Sequence, residues 1–248
     1  MMRIAHDRLH DEFRQAQTGK ASHHTAADRT RPSLFRYDCL SLRRLAQDIR
    51  SLIEESGVPR DGVALDLGSA TSPYRDWVAT LGCRIETLDI DPASGADHVG
   101  TGDDTGLPTG AFDLVICTQV LEHVPDPRRV LLEIRRILKP GGRLIASAPH
   151  VWFYHPHASD YWRFTQEGVV QLCRDADLEL IELRAQGGSA LTLFQSVNFL
   201  LYGVLGRAGG PLYAIFNVLG FAADRLVQNE LFAHNFAWLA RKPYEAAA

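Results

Sequence analysis

The sequence predicts a doubly wound α/β fold, and three observations carry that prediction. Short apolar runs alternate with helix-length segments from about residue 42 to residue 185. Several of those runs end in an acid or a small residue, where chain leaving a sheet edge turns back. The helix-length segments keep their apolar residues on one face, at spacings of three and four. Near-continuous apolar runs suit strands covered on both faces, and their alternation with helices makes the sheet largely parallel. Ligands of such sheets bind beyond the C-terminal ends of the strands, so the residues there are the ones to weigh.

Bulk composition sets limits. The chain has 248 residues, a formal net charge of -4, 46% hydrophobic and 23% charged residues, the balance of a soluble globular protein. It has no basic run and no aromatic-basic interleaving, which disfavours nucleic acid as a partner. Cys39, Cys83, Cys117 and Cys173 lie far apart without a CxxC pair and point to a reducing cytoplasm. Residues 1–35 read as a polar tail or weak helix, too polar over Met1 to Lys20 for a signal peptide. His23 and His24 are adjacent but lack further ligand spacing, so no metal is expected there. Residues 36–248 read as one domain.

Within it, Leu42, Leu45, Ile49, Leu52 and Ile53 form one face of a helix ending at Gly57-Val58-Pro59, with Phe35 and Tyr37 near its start. Val63 to Leu67 is the opening strand. Small residues follow, then Pro73 at an expected helix start with Ser72 as its expected N-cap, and the helix runs to Leu81. Such a strand, turn and helix start let a ligand approach bare backbone. Ala70 and Ser72 stand where a dinucleotide fingerprint wants glycines, so an ordinary strand-to-helix turn is an equal reading of this stretch alone. Cys83 to Leu88 is a second strand, ending in Asp89-Ile90-Asp91-Pro92. An acid at this tip suits the two hydroxyls of a ribose, and Asp89 is preferred over Asp91, which precedes a proline.

Gly102 to Pro108 is a loop, and Asp113 to Cys117 a third strand ending in Thr118-Gln119. Asp126 caps and Pro127 opens a helix that buries Val130, Leu131, Ile134, Ile137 and Leu138 and stops at Lys139-Pro140-Gly141-Gly142. Arg143 to Ala148, Leu178 to Ala185 and Asn235 to Ala240 are the later strands, with one more helix between the first two.

Five motifs now stand in order: Leu65-Asp66-Leu67-Gly68, Leu88-Asp89-Ile90-Asp91, Gly102-Asp103-Asp104 with Leu107-Pro108, Phe112 to Val124 containing Leu121-Glu122-His123, and Leu138-Lys139-Pro140-Gly141-Gly142. Together they resemble class I S-adenosylmethionine-dependent methyltransferases, most of all the small-molecule type 11 branch, over about Val63 to Ala185. The resemblance implies a Rossmann-like, seven-stranded, mostly parallel sheet and S-adenosylmethionine as cofactor. By the same resemblance Asp66, Gly68, Ser69 and Ala70 hold the amino-acid end of the cofactor, and Asp89 accepts from the ribose hydroxyls. Ile90 packs on the adenine, Asp103 and Asp104 take its amino edge, and Thr118 and Gln119 lie near the ammonium. Ala70 departs from the usual second glycine and adds a methyl group there.

The stretch from Pro149 to Thr165 concentrates histidines, aromatics and one acid–arginine pair. The same branch carries a pattern like His155, Asp160, Arg163 and Thr165. His155 is the preferred base for drawing a proton from an attacking hydroxyl, with His150, His123 and His157 as rivals. Tyr154, His157, Asp160, Trp162 and Arg163 are candidate substrate contacts. A structural reading stands beside this: Asp160 pairs with Arg163 and Thr165 caps the next helix. No metal is expected of His150, His155 and His157, which lack a familiar ligand spacing.

Residues 189–228 form a helical insertion before the last strand, with two apolar segments over 190–223. Each is shorter than a membrane span, which leaves a lid, a homodimer face or an element meeting the membrane surface. The expected activity is methyl transfer to a hydroxyl of a small molecule, saccharide or lipid-linked acceptor, in the cytoplasm or peripheral to the membrane. Alternatives are an N-methyltransferase and a cofactor-binding protein that no longer methylates. A nicotinamide oxidoreductase is disfavoured by the missing glycine fingerprint.

Overall fold

The computed structural model describes residues 25–69, 71–154, 159–227 and 229–244. Its strands are β1 (Val63–Leu67), β2 (Arg84–Asp89), β3 (His98–Val99), β4 (Phe112–Thr118), β5 (Leu138–Pro149), β6 (Glu179–Gln186) and β7 (Asn235–Arg241). They form one sheet in the order β3-β2-β1-β4-β5-β7-β6. All pairings are parallel except those of β7, which runs antiparallel to β5 and β6. The helices are α1 (Ala26–Thr30), α2 (Cys39–Glu55), α3 (Arg75–Thr80), α4 (Pro127–Ile137), α5 (Gln166–Asp175), α6 (Ser189–Leu205) and α7 (Gly210–Leu226).

Side chains of a strand alternate between the two faces of its sheet, and here each face feeds its own core. Leu65, Leu67, Val115, Cys117, Leu144, Ala146 and Trp238 pack with Val130, Leu131, Ile134 and Ile137 of α4 and Val169 and Cys173 of α5. Ala64, Leu114, Ile116, Ile145, Ala237 and Leu239 pack with Leu45, Ile49, Leu52 and Ile53 of α2 and Val78 of α3. The central strands are therefore apolar at nearly every position. All four cysteines are buried and reduced.

Two local expectations need correction, and one strand was not expected. The helix after β1 begins at Arg75, not Pro73, because Ser72 takes a left-handed φ of 43° and Ser72 N–H donates to Ser69 C=O at 2.7 Å. Arg75 N–H then donates to Ser72 C=O at 3.3 Å, closing a turn around Pro73, and Ser72 does not cap the helix. Lys139 to Gly142 does not merely stop α4. It runs on as the first part of β5, because Gly141 N–H donates to Lys242 C=O and Lys242 N–H to Gly142 C=O, both at 2.9 Å. The two-residue β3 has no periodicity to announce it. Its place is held by Asp97, whose Oδ2 accepts from Thr87 N–H and Oγ–H.

Both expected helix starts elsewhere are present. Asp126 Oδ1 accepts from Arg128 and Arg129 N–H ahead of Pro127, and Thr165 Oγ1 accepts from Gly168 N–H. The apolar insertion is a helical hairpin, α6 and α7, broken at Gly206 where φ reaches 55°.

Candidate functional site

The parallel strands β1, β2, β4 and β5 all end at one edge of the sheet, and the loops that follow them line the candidate site. At the exit of β1, Gly68 has φ +71° and its N–H donates to Leu88 C=O at 2.8 Å. A Cβ there would lie 2.5 Å from Val120 Cγ2, so only glycine lets the loops after β1 and β4 close on each other. Ala70, the next expected contact, lies outside the described residues.

Around this glycine the cleft holds an unusual set of polar atoms. Asp66 Oδ2, Ser69 Oγ, Ser72 Oγ, Tyr74 Oη and both carboxyl oxygens of Glu122 are buried without a hydrogen-bond partner among the described residues. A buried polar group left unsatisfied costs about 1–3 kcal/mol, so several in one place mark a site whose ligand supplies the partners. Burial pushes the Asp66 carboxyl up to about 7, opposed by the Ser72 hydroxyl and the Arg29 and Arg75 cations. Burial likewise pushes Glu122 up to about 8, opposed by its own backbone N–H and by the Arg163 and Arg29 cations while the Asp160 charge adds to the rise, and His123 Nε2 faces its Oε1 at 3.8 Å. Arg29, on α1, thus acts on both acids and on Tyr74.

At the tip of β2, Asp89 Oδ1 accepts from Asp91 N–H at 2.9 Å, and Gly100 N–H donates to Asp89 C=O. Ile90 is 70% exposed beside it, an apolar surface awaiting a flat partner. β3 pairs with β2, which sets the following loop next to this tip. There Asp103 faces Arg129 of α4 at 3.5 Å, and Asp104 N–H donates to Thr101 C=O.

At the tip of β4, Thr118 is buried and Gln119 takes a left-handed φ of 55°. Gln119 Nε2 donates to Ser147 Oγ at 3.1 Å and to Asn235 Oδ1 at 3.2 Å. Asn235 Nδ2 donates to Gln186 Oε1, and Gln186 Nε2 to Asp48 Oδ2. This polar chain ties the tips of four strands to α2, and it fixes a strained residue at the cleft floor.

The segment after β5 is held by one side chain. Arg163 pairs with both oxygens of Asp160, at 2.6 and 2.7 Å, and donates to the carbonyls of Trp152 and Phe153. Asp160 and Arg163 therefore serve each other and shape the loop. Trp162 Nε1 donates to Val124 C=O, and Tyr161 N–H to Glu122 C=O, which locks the loop onto the turn after β4. Tyr154 is half-exposed at the loop's surface. His123 and His150 each place Nδ1 on a backbone carbonyl, of Ser159 and Phe164, so in the neutral ring Nδ1 carries the proton. His155 and His157 lie outside the described residues. Among the described residues no three His, Cys, Asp or Glu side chains gather as metal ligands.

The insertion completes the wall. Phe199 of α6 stacks on Phe153 with ring centroids 3.4 Å apart, and Tyr202 stacks on Tyr37 at 4.0 Å. Trp152 meets the edge of His234, whose Nε2 lies 2.6 Å from Ser41 Oγ. Burial lowers His234 to about 3, so it stays neutral. Arg29, Glu122 and His234 are residues near these loops that sequence reasoning did not single out. Glu122 stood inside a quoted motif, whereas Arg29 and His234 gave no signal, since only the fold brings them to the cleft.

Comparison with known proteins agrees with this fold. A methyltransferase domain family model matches residues 65–146. A ubiquinone biosynthesis O-methyltransferase of Thiobacillus denitrificans is 30% identical over 160 residues, 52% of this chain and 69% of that protein. A thiol S-methyltransferase of Homo sapiens is 32% identical over 148 residues, 52% of this chain and 56% of that protein. A ubiquinone biosynthesis O-methyltransferase of Xanthomonas oryzae is 33% identical over 98 residues, 34% of this chain, and the match spans only 41% of that relative's length. In fold, the chain resembles a putative sarcosine dimethylglycine methyltransferase from Galdieria sulphuraria, with TM-score 0.57, 16% identity, and 82% of this chain and 86% of that one covered. The chain belongs to the class I S-adenosylmethionine-dependent methyltransferases.

Proposed function

We propose that the chain transfers a methyl group from S-adenosylmethionine to a hydroxyl of a small or lipid-linked acceptor. The observation that carries the donor half is the set of partnerless buried atoms around Gly68. A zwitterionic amino-acid group would satisfy them, with Asp66 and Glu122 toward its ammonium and Arg29 toward its carboxylate. Asp89 would accept from two ribose hydroxyls and Asp103 from the adenine amine, matching acceptor to donor. When bound, the donor supplies an electrophilic sulfonium methyl group.

The chain's own contribution is alignment, exclusion of water and removal of one proton. Gln119, fixed by Ser147 and Asn235, holds the cleft floor. Trp152, Phe153 and Phe199 shield the acceptor side and offer flat apolar surface to it. The acceptor oxygen loses its proton as it forms the new bond. In His150 the Nδ1–H is committed to Phe164 C=O, which makes Nε2 the basic nitrogen of the neutral ring. His155, the preferred base from the sequence, lies outside the described residues. A thiol acceptor is the second reading, favoured by the 32% likeness to a thiol S-methyltransferase. The same cleft would serve it with less need of a base, because a thiol ionises more readily than an alcohol.

Incubation with isotopically labelled methyl donor and a panel of phenols, alcohols, thiols and amines, read by mass spectrometry, tests the assignment. Label on oxygen is the expected result. Label only on sulfur or nitrogen moves the activity within the class. Tight donor binding without any product would make the chain a cofactor-binding protein.

A further inference from the structure

The stretch Ser189–Leu226 is long and apolar enough to cross a membrane, yet only 22% of its most apolar window is buried. It does not run as one rod. It folds at Gly206–Gly209 into two antiparallel helices of 17 residues, α6 and α7. Each is about 25 Å long, short of the ~30 Å hydrocarbon core, so the hairpin is built to lie on a bilayer, not to span it.

The hairpin's polarity is inverted. Thr192, Gln195, Asn198 and Asn217 face inward and are buried. Asn198 Nδ2 donates to Asn217 Oδ1, Asn217 Nδ2 to the carbonyls of Leu34 and Arg36, and Gln195 Nε2 to Tyr37 C=O. These bonds pin the hairpin to residues 34–41 in one orientation. Outward point Leu193, Leu200 and Val204 along α6, and Ile215, Val218 and Leu226 along α7, with Val204 84% exposed. Their spacings draw one stripe on each helix.

Each end of these stripes carries an arginine. Among the charged residues of the hairpin, Arg207 sits at the tip and Arg225 at the far end, and the one acid, Asp224, accepts from Gly188 N–H. Arg43 lies over the Phe221 ring close by. Cations flanking an apolar stripe match anionic headgroups above acyl chains.

We propose that the outer face of the α6–α7 hairpin docks on an anionic lipid bilayer, and that the acceptor enters the cleft from that bilayer past Phe199 and Tyr202. The second half rests on the methyl-transfer reading; the first does not. Flotation of the full chain with vesicles of phosphatidylcholine, with and without phosphatidylglycerol, tests docking. Binding to the phosphatidylglycerol vesicles is expected, weakened by salt. The Leu200→Glu/Val204→Glu double variant should lose at least tenfold in binding while keeping its melting temperature and S-adenosylmethionine affinity. Arg207→Glu should lose at least about fivefold, the worth of one surface cation. Failure to float with either vesicle overturns the proposal. So does a dimer, seen by light scattering, that the double variant dissociates without any vesicle binding. Vesicle binding without methylation of any acceptor would leave docking standing and remove the methyl-transfer reading.

Discussion

Around Gly68 the cleft is lined by backbone and short polar side chains that lack partners, whereas around Trp152 and Phe153 it is lined by rings that stack on one another. The first region is unsatisfied without a ligand, and the second satisfies itself. A wall that waits for its ligand must be positioned to within a few tenths of an ångström, and the strand tips provide that. A wall of rings tolerates rearrangement, which suits a surface that selects among acceptors. In the proposed function the first region is the donor side, which defines the class, and the second the acceptor side, which individualises the protein.

The sharpest way to break this contrast is Gly68→Val. It forces a branched side chain into a left-handed backbone and onto Val120, and S-adenosylmethionine affinity should fall at least 100-fold by calorimetry. If affinity survives, the loop after β1 is not the rigid half. Asp89→Ala should follow, with a loss of about 10- to 100-fold for two charge-assisted hydrogen bonds, and acceptor selectivity unchanged.

Glu122→Gln tests the unsatisfied wall through stability. Glu122 and Asp66 have folded values, about 8 and about 7, above their ordinary 4.5 and 3.8. Folding therefore takes up protons across that window, so the protein without ligand is most stable at the acid end and loses stability as pH rises toward about 8. The glutamine variant should be more stable than the native chain by about 2 kcal/mol at alkaline pH and nearly equal to it near the ordinary carboxylate value, as read by urea unfolding. An unchanged pH profile would mean that Glu122 already finds a partner. The smallest effect belongs to the acceptor side. Asp160→Asn should lower kcat/KM for the acceptor about tenfold while leaving donor affinity alone, because it loosens the Arg163 clamp on the Trp152 and Phe153 carbonyls.

This division also explains what the residues alone could reveal. The alternation of apolar runs and one-sided helices announced the sheet, and Asp126-Pro127 and Thr165 announced their caps, because each acts over a few neighbouring positions. Gly68 and Asp89 were legible for the same reason, since a turn and a strand tip are local events. Pro73 misled because a left-handed Ser72 moved the helix start by two residues. Arg29 and His234 were invisible because they come to the cleft from the two ends of the chain. The apolar character of 190–223 was plain, but not that its asparagines face inward, which depends on the carbonyls of Leu34 and Arg36.

The reversed direction of β7 has a consequence for how such a protein can diversify. A parallel last strand would begin at the rim opposite the chemistry. Because β7 begins at Asn235 beside the end of β5, whatever chain is spliced in just before it emerges at the reacting rim. A change in that spliced segment can therefore retune which molecule is accepted, while the residues proposed to grip the methyl donor, all encoded upstream, stay as they are.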